Sequence, residues 1–131
     1  MMKLLLVAIG GAIGSVTRYL ASGFTYRFVS PVFPWGTLAV NLAGSFLIGF
    51  LWEMCDRAAV SPNTRTLIFI GFLGGFTTFS SFSLESFNLI RDGEYKMALA
   101  NVLASNLLGI ALVFAGFASA RYVHGLFKWG A

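Results

Sequence analysis

The sequence predicts an all-α membrane protein: four transmembrane helices, the third of them broken partway along. Three observations predict it. Apolar residues make up 57% of the 131 positions and charged residues 11%, against a usual charged share of about 25%. The mean hydropathy is correspondingly high, +0.80. The apolar residues fall into four runs, each near the roughly 20 residues a helix needs to cross a bilayer. One run, uncharged over residues 66–84, carries Gly71-Phe72-Leu73-Gly74-Gly75-Phe76-Thr77-Thr78-Phe79-Ser80-Ser81-Phe82-Ser83 at its centre.

Residues 1–131 read as a single four-span membrane domain. The first span covers about 4–22 and carries Arg18 late. Its start, Met1-Met2-Lys3 and the apolar run after it, has the look of a signal peptide. That run continues without an obvious cleavage site into Gly10-Gly11-Ala12-Ile13-Gly14, so a membrane span is the main reading and a signal peptide the alternative. The second span covers about 36–52. The third covers about 66–90, with Glu85 late in it, and the fourth about 97–120. Turn formers separate them: Ser30-Pro31 and Pro34, then Ser61-Pro62-Asn63, then Arg91-Asp92-Gly93. Trp35, Trp52, Tyr95 and Tyr122 stand near span ends, where interfacial aromatics collect. Gly10/Gly14 and Gly71/Gly75 have the four-residue spacing that lets helices approach closely. Asn41-Leu42-Ala43-Gly44 and Asn106-Leu107-Leu108-Gly109 echo one another over too few positions to define a repeat.

This composition excludes several classes. The net charge of +4 is scattered over loops and ends, with no basic run interleaved with aromatics, so no nucleic-acid partner is expected. A single cysteine, Cys55, rules out an internal disulfide and reads as a small interfacial residue; neither it nor the lone His124 makes a metal site by itself. No nucleophile–base set is present, so no enzyme is expected.

Four spans put both termini and the second loop on one side. That side carries Lys3, Arg57, Arg65, Arg121 and Lys128; the other carries Arg27, Arg91 and Lys96, with Arg18 close by. Such a small asymmetry does not fix an orientation. Two readings stay open: the rule fails to decide, or the chain inserts both ways and pairs with its inverted copy.

The third span is the informative one. Gly and Thr are weaker helix formers than Ala, and a plain span has no use for Gly74-Gly75, Thr77-Thr78 and Ser80, Ser81 and Ser83 at mid-depth. Interrupted backbone is tolerated there only where it is buried in protein or lines a polar cavity, and its freed amides and carbonyls can bind ions. The stretch therefore reads as part of an ion pathway. Phe79 and Phe82 lie three apart on one helical face. They serve either as packing or as ring edges turned toward an anion, an aromatic edge being electropositive. Arg18 either snorkels to the headgroups or takes a vestibule or buried-pairing role. Asn41, four residues after Thr37, makes either an interhelical hydrogen bond or a bond to an anion or a carbonyl. Asn101, Ser105 and Asn106 add donors in the fourth span, and helical spacing puts Asn101 and Ser105 on one face.

Together these residues resemble the Fluc (CrcB) family of fluoride channels. The resemblance covers nearly the whole chain. It rests on Gly10-Gly11-Ala12-Ile13-Gly14-Ser15-Val16-Thr17-Arg18-Tyr19, on Gly36-Thr37-Leu38-Ala39-Val40-Asn41-Leu42-Ala43-Gly44-Ser45-Phe46, and above all on Gly71 to Phe82 with its Thr-Thr-Phe-Ser-Ser-Phe core. It implies a passive channel in the bacterial plasma (inner) membrane that exports fluoride. It implies an antiparallel, dual-topology homodimer with two pores, each built from both subunits and surrounded by lipid. Phe79 and Phe82 would then be the pore phenylalanines, Asn41 the pore asparagine, and Ser80 and Ser81 the polar track. Thr37 and Ser105 join the ion pathway, with Arg18 and Glu85 in a vestibule or structural role. Carbonyls of Gly74 and Thr77 from both subunits would hold a structural sodium ion, Na+, at the dimer interface. Unwound carbonyls suit a hard cation, and a two-fold axis supplies four oxygens.

Two alternatives are weighed against the channel. A small-multidrug-type proton-coupled exporter needs an embedded carboxylate in span one, which here carries Arg18 and no Asp or Glu. A non-transporting membrane assembly subunit explains the small-residue packing but not the interrupted third span.

Overall fold

The computed structural model describes residues 1–29 and 32–129, with side chains described as far as residue 126. The Ser30-Pro31 turn signal and the side chain of Lys128 lie outside the described residues. The described residues form five helices in four membrane-length spans. They are α1 (Met2–Thr25), α2 (Trp35–Arg57), α3 (residues 62–76), α4 (Phe79–Arg91) and α5 (residues 95–129). Helices α3 and α4 are the two halves of the third span, Pro62–Arg91. Every helix runs beyond the apolar run that signals it, because charged and aromatic ends continue the helix past the hydrocarbon core.

Local chemistry sets the ends. Ser61 accepts the Thr64 amide at 3.2 Å and Pro62 follows at the first helical position, so α3 starts there. Helix α4 stops at Gly93, whose φ of +83° is open to glycine at little cost. The bonds Gly93 N–H to the Ile90 carbonyl and Glu94 N–H to the Leu89 carbonyl close that end.

Packing follows glycine. Helix α1 lies along α3 and α2 along α5, with α1 against α2 joining the two pairs. A Cβ added at Gly10 or Gly14 would strike the backbone of α3 at Gly71, Phe72 or Phe76, and one at Gly75 would strike Gly11. On the other pair, Gly49 sits on the backbone of Val113, and Gly116 on Phe46 and Phe50. These contacts are backbone on backbone, so no side chain can move aside.

The break is narrower than the sequence suggests, and displaced. Gly74-Gly75 are helical, as part of Gly74–Phe76. Only Thr77 (φ −85°, ψ 158°) and Thr78 (φ −149°, ψ 117°) are extended. The expected unwound segment from Gly74 to Thr77 is thus corrected to Thr77–Thr78. The glycines provide closeness to α1, while the β-branched threonines, which favour extended backbone, take the break. Two π-helical turns, Thr66–Leu73 and Ala104–Leu108, also bend the register of α3 and α5. Cys55 is 5% exposed and packs into the core two residues before α2 ends at Arg57. Nearby Glu53 is also buried and accepts Arg57 Nε at 2.6 Å, with Arg121 Nε of α5 at 3.8 Å.

The glycine contacts yield a paired test. Gly14→Val and Gly116→Val should each lower the thermal stability of the detergent-solubilised protein, since overpacking against fixed neighbours costs about 1–3 kcal/mol. Gly23→Ala, where a Cβ meets open space, should leave it unchanged or slightly raised. Equal melting behaviour for all three variants would contradict the packing assignment.

Candidate functional site: a broken span between two pockets

Opening a helix in the middle of a span strands its backbone groups, and this chain meets the need with one side chain. Asn41 of α2 donates through Nδ2 to the Thr78 carbonyl at 2.9 Å and accepts the Thr78 amide on Oδ1 at 2.8 Å. A primary amide presents its donor and acceptor side by side, as a neighbouring strand does, so it replaces the missing helical partners of one residue at a stroke. Without it two buried groups would lose their partners, at about 1–3 kcal/mol each. The bond runs from α2 to the third span and reaches a backbone carbonyl, so it meets both the interhelical and the carbonyl reading of Asn41.

The neighbouring groups complete the break. The Thr77 hydroxyl donates to the Leu73 carbonyl at 2.9 Å. Arg18 of α1 donates from Nη1 to the Thr77 carbonyl at 3.3 Å, so its head turns to the break. Gly44 gives room for the Thr77 methyl, which a Cβ there would meet. Thr78 caps α4: its hydroxyl accepts the Ser81 amide at 3.2 Å and donates to Ser81 Oγ at 3.1 Å, with Ser80 Oγ at 3.4 Å. The dipole of the thirteen-residue α4 therefore opens toward this hydroxyl cluster, a setting that favours an anion. Ser83 instead bonds back to the Phe79 carbonyl at 2.9 Å.

Two pockets meet at Thr78. One, of about 340 Å³, is lined by Asn41, Thr77, Thr78, Phe79, Phe82 and Ser105, among others. The rings of Phe79 and Phe82 stand 5.5 Å apart at 44°, yet their exposures differ: 78% for Phe79 and 8% for Phe82. Ser105 Oγ is buried without a hydrogen-bond partner. The second pocket, of about 570 Å³, is lined by Arg18, Tyr26, Thr37, Thr78, Ser81 and Glu85 among others. There Thr37 donates to Glu85 Oε1 at 2.7 Å, while Glu85 Oε2 is buried without a partner. Tyr26 closes the outer edge. Burial, then the charge of Glu85, pushes its hydroxyl above the ordinary tyrosine range, so it stays neutral at physiological pH.

Asn101 lies outside the pocket that Ser105 lines, though both face the second half of the third span. It is 1% exposed and donates to Ser86 Oγ at 3.0 Å, and Ser86 in turn donates to the Phe82 carbonyl at 2.8 Å. The adjacent Ser105 and Asn106, both in the π-turn Ala104–Leu108, line one pocket. Gly74 is exposed, and the amide that would reach its carbonyl in a continuous helix, that of Thr78, belongs to Asn41. Among the described residues no backbone amide reaches the Gly74 carbonyl. Sequence reasoning missed Thr78, which joins the two pockets. Its one signal, a Thr three residues before Ser81 at a helix start, is a common cap pattern.

The sequence matches known proteins along nearly its full length. The family model described as CrcB-like protein, Camphor Resistance (CrcB), matches residues 5–117. The protein named fluoride-specific ion channel FluC from Parabacteroides distasonis is 50% identical over 98% of this chain and all of its own length. Those so named from Geotalea daltonii and Geobacter sulfurreducens are 47% and 49% identical over 94% and 92% of this chain, and over 100% and 98% of their own lengths. That shared name is of a channel, not an enzyme. With four apolar spans and a family match through all of them, the chain is an integral membrane protein of the CrcB-like family.

Proposed function

We propose that the chain is one subunit of a passive, fluoride-selective channel in the bacterial plasma membrane. Hydrofluoric acid crosses membranes and dissociates inside, and the channel lets the trapped anion leave. The observation that carries the proposal is the open third span. Its hydroxyls, the α4 N-terminus and the Phe79–Phe82 pair converge on two pockets that meet at Thr78. The relatives' name supplies the ion.

The path runs from the pocket of Arg18, Thr37 and Glu85 past Thr78, Ser80 and Ser81 to Phe79, Phe82 and Ser105. Among the described residues no Lys or Arg lines its inner part. Ring edges, hydroxyls and helix amides are weak partners, which suits conduction, since an ion must leave as easily as it enters. Asn41 acts by holding Thr78, and its second N–H remains for the ion.

The functional unit is an antiparallel homodimer with two pores. Its support is the polar, open backbone at Gly74 and the exposed Ser80 and Phe79. In a bilayer, open backbone must be covered by protein or line a water-filled path. The carbonyls of Gly74 and Thr77, doubled by a two-fold axis, are the oxygen donors a structural sodium ion takes. The Gly74 carbonyl fits outright; that of Thr77 already takes Arg18 on one lone pair and offers its other.

Three measurements test this reading. Fluoride efflux from proteoliposomes, with chloride for comparison, tests the pore rings. Phe79→Ile or Phe82→Ile keeps bulk but removes the quadrupole, so flux should collapse while the dimer still assembles. Losing a ring-edge contact is worth on the scale of 1 kcal/mol per ring. Phe72→Ile, at a residue that lines neither of the two pockets, is the control. Full flux through correctly assembled dimers of both pore variants counts decisively against the assignment. Accessibility labelling of tagged loops should find both orientations in one population; a single uniform orientation would sink the antiparallel dimer. Replacing sodium with a large organic cation should weaken dimer stability and flux together. Fluoride movement driven by a sodium gradient alone would refute a structural role.

A further inference from the structure

The six arginines of the chain divide in a telling way. Arg57, Arg65, Arg91 and Arg121 each face a carboxylate: Glu53, Asp56, Asp92 and Glu53 respectively. Arg18 and Arg27 make no ion pair among the described residues, although Glu85 lines the pocket of Arg18, and both belong to the same mouth. Arg18 lines the pocket of about 570 Å³, with Tyr19 and Gly23 in its wall. Tyr19 and Gly23 also line an outer pocket of about 590 Å³, whose one charged group is Arg27. The two pockets are thus consecutive along the end of α1, with a cation in each.

The opposite edge of the mouth has the other sign. A smaller pocket of about 200 Å³ is lined by Glu85, Asn88 and Asp92 on one face of α4, with Tyr26, Val32 and Pro34 across from them. Tyr26 and Glu85 belong to both this pocket and that of Arg18, so they form the partition. The mouth is therefore polarised, cationic along α1 and acidic along α4. Beyond that edge, Arg91 is held by Asp92 at 2.9 Å, and Glu94 and Lys96 are exposed.

We infer that Arg27 is the outermost anion-gathering residue of this mouth, and that anions reach Arg18 along the Tyr19–Arg27 pocket and not past Asp92. The inference rests on the channel reading and adds an entry route to it. Arg18 to Thr25 rises about 10 Å along α1, and Arg27 follows two residues later in the turn that ends it, so the two cations lie on the order of 14 Å apart along the chain axis. Screening lengths are about 30 Å at 0.01 M salt and about 10 Å at 0.1 M. The field of Arg27 therefore reaches Arg18 at low ionic strength and fades as salt rises. One exposed charge at that distance, beside an apolar wall, is worth about a two- to threefold change in local anion concentration.

The experiment measures initial fluoride flux in proteoliposomes at low fluoride, where entry limits the rate, against the concentration of an impermeant salt. Arg27→Lys should match wild type. Arg27→Gln should be about two- to threefold slower at 10 mM ionic strength, Arg27→Glu slower again, and all four should converge near 300 mM. Asp92→Asn should leave the ordering intact. A loss in Arg27→Gln that is equal at every salt concentration, or that Arg27→Lys shares, would mean a structural role and overturn the inference. So would unchanged flux at 10 mM in Arg27→Gln while wild type conducts. Absence of flux in wild type would overturn the channel reading and the entry route with it.

Discussion

The pairing of one side-chain amide with one residue's backbone is what the rest of this molecule depends on. A membrane span must satisfy its amides and carbonyls internally, and the third span does not do so at Thr78. Asn41 supplies both missing partners. Because that residue is held from outside its own helix, Thr77 and Thr78 can stay extended and α4 can begin afresh with its own capped N-terminus. The two pockets that meet at Thr78, the Arg18 contact to Thr77 and the lone Gly74 carbonyl all follow from that exchange.

The close helix packing and the break serve one another. Glycines seat α1 directly on α3, with Gly10 and Gly14 facing Gly71, Phe72 and Phe76. That brings Arg18, one turn beyond Gly14, level with the Thr77 carbonyl. On the other flank Gly44 admits the Thr77 methyl three residues from Asn41. Small residues thus set the distances at which the polar contacts form, and the polar contacts fix which rotation of the helices is used.

The four spans were legible from composition because apolar run length is a direct physical requirement of the bilayer. The existence of a break was legible too, since Gly, Thr and Ser at mid-depth have no other common use. Its location was not. Gly74-Gly75 is the stronger helix-breaking signal by propensity, yet tertiary contact with Gly11 keeps Gly75 helical, while Thr78 is drawn out by a residue 37 positions earlier. The π-turn at Ala104–Leu108, which brings the adjacent Ser105 and Asn106 to one pocket, is likewise beyond what periodicity reveals. Arg18 was readable as either a snorkelling or a buried cation. The choice needed the position of Thr77, which no local pattern encodes.

The reach of Asn41 to Thr78 also has a bearing on how the chain is made. Helices α3 and α4, of 15 and 13 residues, are each too short to cross a bilayer of about 30 Å alone. The residue that joins them is stable in the membrane only with an amide beside it. That amide lies on α2, which precedes α3 in the sequence and leaves the ribosome first. Synthesis therefore delivers the clamp before the segment that needs it. The third span can enter as a broken element from the start, docking onto α2 as it emerges, with no intact helix that must later be unwound inside the lipid.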